Sequence, residues 1–198
     1  MTLSPKDRRL IRVAVAISLG NWPLLRELRG AAPAGEPDRA WRELVLQTHL
    51  FAGFPRVVEA CEVIAKAGGL GPIDADELAT EVDFSGPGAE LFGSIYADQT
   101  ERVRQTLKDY HPTLERWIIG HAYGRVLSRP GLSADRRELA AVACLVALGQ
   151  ERQLASHVRG AARVGATKED VFETLDAIEE FLPAETFAHG KRVVAKFL

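Results

Sequence analysis

Four side chains in the last third of the sequence have the types and the spacing for proton transfer: Glu138, Gln150, Gln153 and His157. The last three fall at i, i+3 and i+7, so a helix beginning at the Gly149 break carries them on one stripe bordering its apolar face. Glu138 opens the preceding apolar run, and an antiparallel helical hairpin would fold it alongside that stripe. A histidine beside a carboxylate is a general acid/base pair, because the carboxylate fixes the ring tautomer and favours the protonated imidazole. Neighbouring amides donate and accept hydrogen bonds to a bound molecule. The same contact equally suits a structural histidine at the edge of a core, and spacing alone leaves both readings open.

Two further residues are weaker candidates for substrate binding. His49 lies in Thr48-His49-Leu50-Phe51-Ala52-Gly53-Phe54-Pro55, among aromatics near a helix break, and Arg129 in Ser128-Arg129-Pro130-Gly131-Leu132 could take a carboxylate bidentately. A packed histidine and a loop-tying arginine are the plainer readings of these two. His111, His121 and His189 lack metal-ligand spacing, and the chain has no glycine-rich phosphate loop and no G-x-S-x-G, so no metal and no cofactor are expected.

The elements that must hold these residues are helices. Leu139, Val142, Ala143 and Val146 repeat at helical spacing after Ser133, and a second helix carries Leu154, Val158, Ala161 and Ala162 inward and stops at Gly165. Thr167 and Asp170 have the spacing of a capping box, and the last helices run to about Leu198. Earlier, a helix from about Asp38 gives way at Gly53-Phe54-Pro55, with Pro33 and Pro37 stiffening the loop before it. Gly86-Pro87-Gly88 marks a break, helices follow over about Ala89–Tyr110 and Pro112–Leu127, and Pro130-Gly131 forms a turn. No run alternates as a strand would, so the fold class is all-α.

The chain also resembles itself. At an offset of 129 residues Arg8, Leu10, Val13, Ala14, Leu19 and Gly20 recur as Arg137, Leu139, Val142, Ala143, Leu148 and Gly149. One residue later in offset, Arg29-Gly30-Ala31-Ala32 recurs as Arg159-Gly160-Ala161-Ala162 and Glu43 as Glu173. The expected organisation is one compact domain made of a first helical unit (1–67), an acidic linker with middle helices (68–134) and a second helical unit (135–198). Between Lys66 and Arg102 no base interrupts eight acids, which reads as a solvated connecting face.

Composition narrows the partners. With 25 basic and 27 acidic residues the net charge is −2, which carries no footprint for nucleic acid, and no segment approaches the ~18 apolar residues of a membrane span. Lys6, Arg8 and Arg9 before Val13–Leu19 imitate a signal peptide, but Arg12 interrupts the run and no cleavage pattern follows. Cys61 and Cys144 form no C-x-x-C, which fits a reduced, cytoplasmic protein.

The stretch Ala122-Tyr123-Gly124-Arg125-Val126-Leu127-Ser128-Arg129-Pro130-Gly131-Leu132, with Arg137-Glu138-Leu139, Ala147-Leu148-Gly149 and Gln153 through Ala161, resembles the signature of carboxymuconolactone decarboxylase-like proteins over about residues 88–180. In the alkylhydroperoxidase D-like branch of that superfamily the corresponding positions carry Glu, a C-x-x-C and His; here they are Glu138, Gln150, Gln153 and His157. Amides form neither thiolate nor disulfide, so thiol peroxidase chemistry by that route is excluded. The resemblance implies the superfamily's helical fold, a homo-oligomer, and decarboxylation-type chemistry on a small cyclic carboxylic acid or lactone with His157 as proton donor and Glu138 as its orienter. A non-catalytic helical binding protein of the same fold is the alternative, and cysteine-dependent peroxide reduction a third. Thr48–Pro55 is similar to a loop the family carries after its signature, a position held here by Glu179–Ala184. One composite site built from both units is therefore expected.

Overall fold

Two helices at the centre are apolar on almost every side, which is what burial on all faces demands. They are α1 (Pro5–Leu19) and α9 (Ala134–Ala147), and they pack on each other through Val13–Ile17 and Leu139–Val146, all fully or nearly fully buried. The computed structural model describes residues 3–36, 38–78 and 84–198; Pro37, Glu81 and Asp83 lie outside the described residues. After α1 come α2 (Trp22–Gly30), α3 (Arg39–Gln47), the single turn α4 (His49–Ala52) and α5 (Phe54–Lys66). The middle of the chain supplies α6 (Ser85–Tyr96), α7 (Thr100–Tyr110), α8 (Pro112–Trp117) and a π-helical stretch, Ile118–Leu127. Beyond α9 follow α10 (Glu151–Arg163), α11 (Lys168–Ile178) and α12 (Ala184–Phe197). The fold is all-α. Among the described residues there is no strand, and no helix is long and apolar enough to cross a membrane.

Three apolar clusters share the interior. One gathers α9 to α12 with Ile11 and Val15 of α1, a second gathers α1 to α5 with Ala140 and Cys144 of α9, and a third joins α6 to the π-helical stretch through Phe92, Ile95, Ile119 and Tyr123. The capping box at Thr167 and Asp170 is formed as expected.

The structure differs from the sequence reading in the middle segment. Residues 89–110 are two helices rather than one, because Ala97 adopts φ 49°, a left-handed conformation that no helix continues through. Gly86-Pro87-Gly88 is not a break but the first turn of α6, where a proline's missing N–H is no loss. Gly88 is needed there: a β-carbon would lie 2.8 Å from the Gly124 nitrogen, so the bare glycines let α6 and the π-helical stretch meet backbone to backbone. Pro112–Leu127 likewise divides, its second part opening to i→i+5 bonding such as Ser128 N–H to Tyr123 O at 3.0 Å. On α10, Leu154, Val158 and Ala161 point inward but Ala162 is exposed. Nor is the acidic linker simply solvated: Arg42 of α3 grips Glu77 at 2.5 Å and Asp74 at 3.1 Å, and Arg39 pairs with Asp76.

Candidate functional site

The α9–α10 hairpin turns on Gly149, whose φ of 66° suits a residue without a side chain, and it lays the second turn of α9 against the second and third turns of α10. Glu138 and His157 are thereby brought together: the Glu138 carboxylate Oε2 lies 2.8 Å from His157 Nδ1, both side chains nearly buried. Gly160, one turn beyond His157, makes room for the pair, since a β-carbon there would stand 2.7 Å from Glu138 Oε2. With Nδ1 engaged by the carboxylate, Nε2 is the ring nitrogen left to serve a ligand.

His157 forms part of the wall of a cavity of about 1020 Å³, and Gln150, Gln153 and Ser156 of the same helix line it too. Gln150 precedes α10 without capping it, so its amide is not spent on the helix end. The opposite wall comes from the middle segment and from α4, whose Phe51 ring meets the His157 ring edge-on at 5.7 Å. Two phenols complete the inner end: the Tyr123 hydroxyl donates to Tyr96 Oη at 3.4 Å. Burial pushes both hydroxyls up, Tyr123 most strongly, with the nearby Glu138 charge acting in the same direction. They therefore remain protonated donors near the Glu138–His157 pair.

The other two candidates lie elsewhere. Arg129 is held bidentately by the fully buried Glu43 at 2.9 Å, and it does not line the cavity. His49 is also off the wall; its Nδ1 lies 2.5 Å from Leu46 O and its Nε2 2.8 Å from Nε2 of His121, which does line the cavity. Gly53, Phe54 and Pro55 likewise stand back from it, while Leu50 and Phe51 just before them reach it. Sequence reasoning missed Tyr96, Tyr123, His121 and Phe51 as wall residues. The π-helical stretch sets Tyr123 and His121 by a spacing no ordinary helical wheel displays.

Neither cysteine lines the cavity. Cys144 is buried against Ala14 O, and burial pushes its thiol up to about 12; burial also raises Cys61. Among the described residues no three His, Cys, Asp or Glu side chains gather as a metal ion would require.

Comparison with known proteins bears on one segment of this geometry. Residues 112–195 match the model of the carboxymuconolactone decarboxylase family. That segment of the chain belongs to the carboxymuconolactone decarboxylase family. The family segment runs from α8 into α12 and contains Glu138, Gln150, Gln153 and His157. A 4-carboxymuconolactone decarboxylase of Acinetobacter baylyi is 36% identical over 74 residues, 37% of this chain and 55% of that protein. Proteins named peroxisomal protein 2 from Schizosaccharomyces pombe and Saccharomyces cerevisiae are 30% and 27% identical, each over 66% of this chain, so these likenesses reach beyond the family segment. The matched stretches cover 62% and 56% of the two yeast proteins, so the chain spans little more than half the length of the curated relatives it matches.

Proposed function

We propose that the cavity beside α10 performs acid/base chemistry of the decarboxylation type on a cyclic carboxylic acid or lactone. The observation that carries this reading is the Glu138–His157 contact at 2.8 Å in a cavity wall that also presents two amides from the same helix. Loss of CO2 leaves its electron pair on the former carboxylate-bearing carbon, delocalised toward the adjoining carbonyl. Donors from Gln150, Gln153 or Tyr96 stabilise that oxyanion, and protonated His157, oriented by Glu138, delivers a proton from Nε2 to carbon. His157 then recovers a proton from water. The test is CO2 release from 4-carboxymuconolactone, the compound in the bacterial relative's name, with His157→Ala as the matched control. Turnover that the substitution abolishes supports the reading; turnover that survives it removes His157 from the reaction.

A second reading is a binding protein without catalysis, favoured by the yeast relatives, whose name gives a location and no reaction. It predicts saturable ligand binding with no product. We further propose that residues 1–67 and 135–198 are two copies of one helical unit joined by 68–134, that the chain forms a homo-oligomer, and that it works in the cytoplasm. Light scattering reads the oligomer. Imaging a tagged chain in its own host separates cytoplasm from the peroxisome of the yeast names.

A further inference from the structure

The cavity is larger and more cationic than a bare lactone acid needs. Its volume of about 1020 Å³ stands at the top of the ~300–1,000 Å³ range of sites that enclose drug-sized ligands. Four arginines, Arg102, Arg152, Arg159 and Arg163, line it against a single carboxylate, Asp98, in a chain whose net charge is −2. Arg163 is engaged by Ile95 O and Asp98, and Arg159 lies over the Phe197 ring, while among the described residues the Arg152 guanidinium donates to the Tyr110 hydroxyl at 3.3 Å. Opposing α10 across the cavity, α7 has no buried residue at all, although Val103, Leu107 and Tyr110 fall on one stripe that lines the cavity. Trp117 continues this wall with 67% of its surface exposed. Val103 and Leu107 pack in part against the Phe92–Tyr123 cluster and in part line the cavity, and a half-buried apolar stripe beside Arg102 and Arg152 is complementary to one kind of occupant.

We propose that the substrate of this site is an amphipathic carboxylic acid, with its reacting head at His157, its long apolar body along Val103, Leu107 and Trp117, and its anionic charge met by Arg152 and Arg102. The proposal rests on the acid/base reading for the head group and adds the class of molecule that carries it. Calorimetric titration with straight-chain carboxylates of six, ten and fourteen carbons, below their micelle concentrations, tests it. Each methylene buried against α7 is expected to tighten binding about threefold, so at least a hundredfold should separate the shortest from the longest. A fourteen-carbon alkyl trimethylammonium should bind at least tenfold more weakly than the carboxylate. Leu107→Asp should flatten the dependence on length, and the Arg102→Gln/Arg152→Gln pair should erase the preference for the anion; circular dichroism checks that both variants fold. Affinity indifferent to chain length, a gradient untouched by Leu107→Asp, or a cavity that a second copy of the chain has closed to every probe would overturn the proposal. His157→Ala should keep the whole gradient, so a protein that binds in this graded way but releases no CO2 refutes the acid/base reading alone.

Discussion

The helices α1, α2, α3 and α5 follow one another as α9, α10, α11 and α12 do, and the second set holds a carboxylate against a histidine, Glu138 against His157. Both α1 and α9 end on a glycine at φ 66°, Gly20 and Gly149, and in both the next residue's N–H returns to the helix, Asn21 to Ala16 O and Gln150 to Leu145 O. Ion pairs cross between the sets reciprocally: Arg8 meets Glu173 at 2.7 Å, and Arg137, which matches Arg8, meets Glu43, which matches Glu173, at 3.0 Å. At the turn the two diverge by one methylene. Asn21 is short enough to cap α2 by accepting from Leu24 N–H, whereas Gln150 reaches past its own helix end into the cavity. Where the second set has Glu138 and His157, the first has Arg9, paired to Glu36, and Glu27, which is exposed. Two turns of the same backbone form thus present different side chains, and under the proposed function those side chains are what would separate a reacting site from an inert one.

Replacing the orienting carboxylate is the most forceful way to test that contrast. Glu138→Gln keeps the shape but withdraws the negative charge facing Nδ1, and kcat for decarboxylation is expected to fall about 10²–10⁴-fold. Glu27→Ala, at the position matching His157, should leave kcat within about twofold. Equal losses in the two variants, measured by CO2 release, would erase the functional difference between the sets.

The crossed ion pairs offer a second contrast, in stability. Glu43 is fully buried and carries Arg137, Arg129 and, through Arg137, Gln47 at 3.1 Å, while burial lowers the Arg137 pKa against the opposing pull of Glu43. Glu43→Ala leaves a buried guanidinium uncompensated and should remove about 3–5 kcal/mol. Glu173 and its partner Arg8 are partly solvated, so Glu173→Ala should remove no more than about 1 kcal/mol. Urea denaturation of the two variants compares them directly.

Much of this was legible in the residues because it is local. The stripe of Gln150, Gln153 and His157, the turn at Gly149 and the box at Thr167 each depend on spacing within a few residues, and an antiparallel hairpin folds Glu138 alongside the stripe. What stayed hidden depends on contacts between distant segments. Arg129 has the chemistry to bind a substrate carboxylate, but the carboxylate it finds is Glu43, 86 positions away in the chain. Tyr96 reaches the site only because Gly88 and Gly124 let α6 approach the π-helical stretch, and no periodicity announces a backbone contact. Ala97 carries no turn signal at all, yet this exposed alanine takes a positive φ of 49° between α6 and α7.

Acid should loosen the first set of helices from the linker before it touches the second. The Arg42 hydrogen bonds hold the Glu77 carboxyl down to about 2 against its burial, which works the other way. A carboxyl depressed in the folded state adds stability that is complete above its unfolded value of about 4.5 and lost as the pH falls toward about 2. The stability difference between wild type and Glu77→Gln should therefore be full at pH 6 and vanish near pH 2. Hydrogen exchange should rise in α3 over that window ahead of α11.

The last contrast falls at the paired glycines. Alanine in a left-handed conformation costs about 1–2 kcal/mol whatever surrounds it. At Gly149 a new methyl meets nothing within 4 Å, so the backbone term stands alone. At Gly20 it meets the guanidinium of Arg56, the movable end of a long side chain, which adds little. Near-equal losses of stability would show that the two turns obey one backbone rule. Kinetics should still separate them, because a turn distorted at Gly149 displaces Gln150 at the cavity wall, while one distorted at Gly20 disturbs only the cap made by Asn21. A severalfold fall in kcat/KM for Gly149→Ala alone would tie the difference in chemistry to the one residue that follows each glycine.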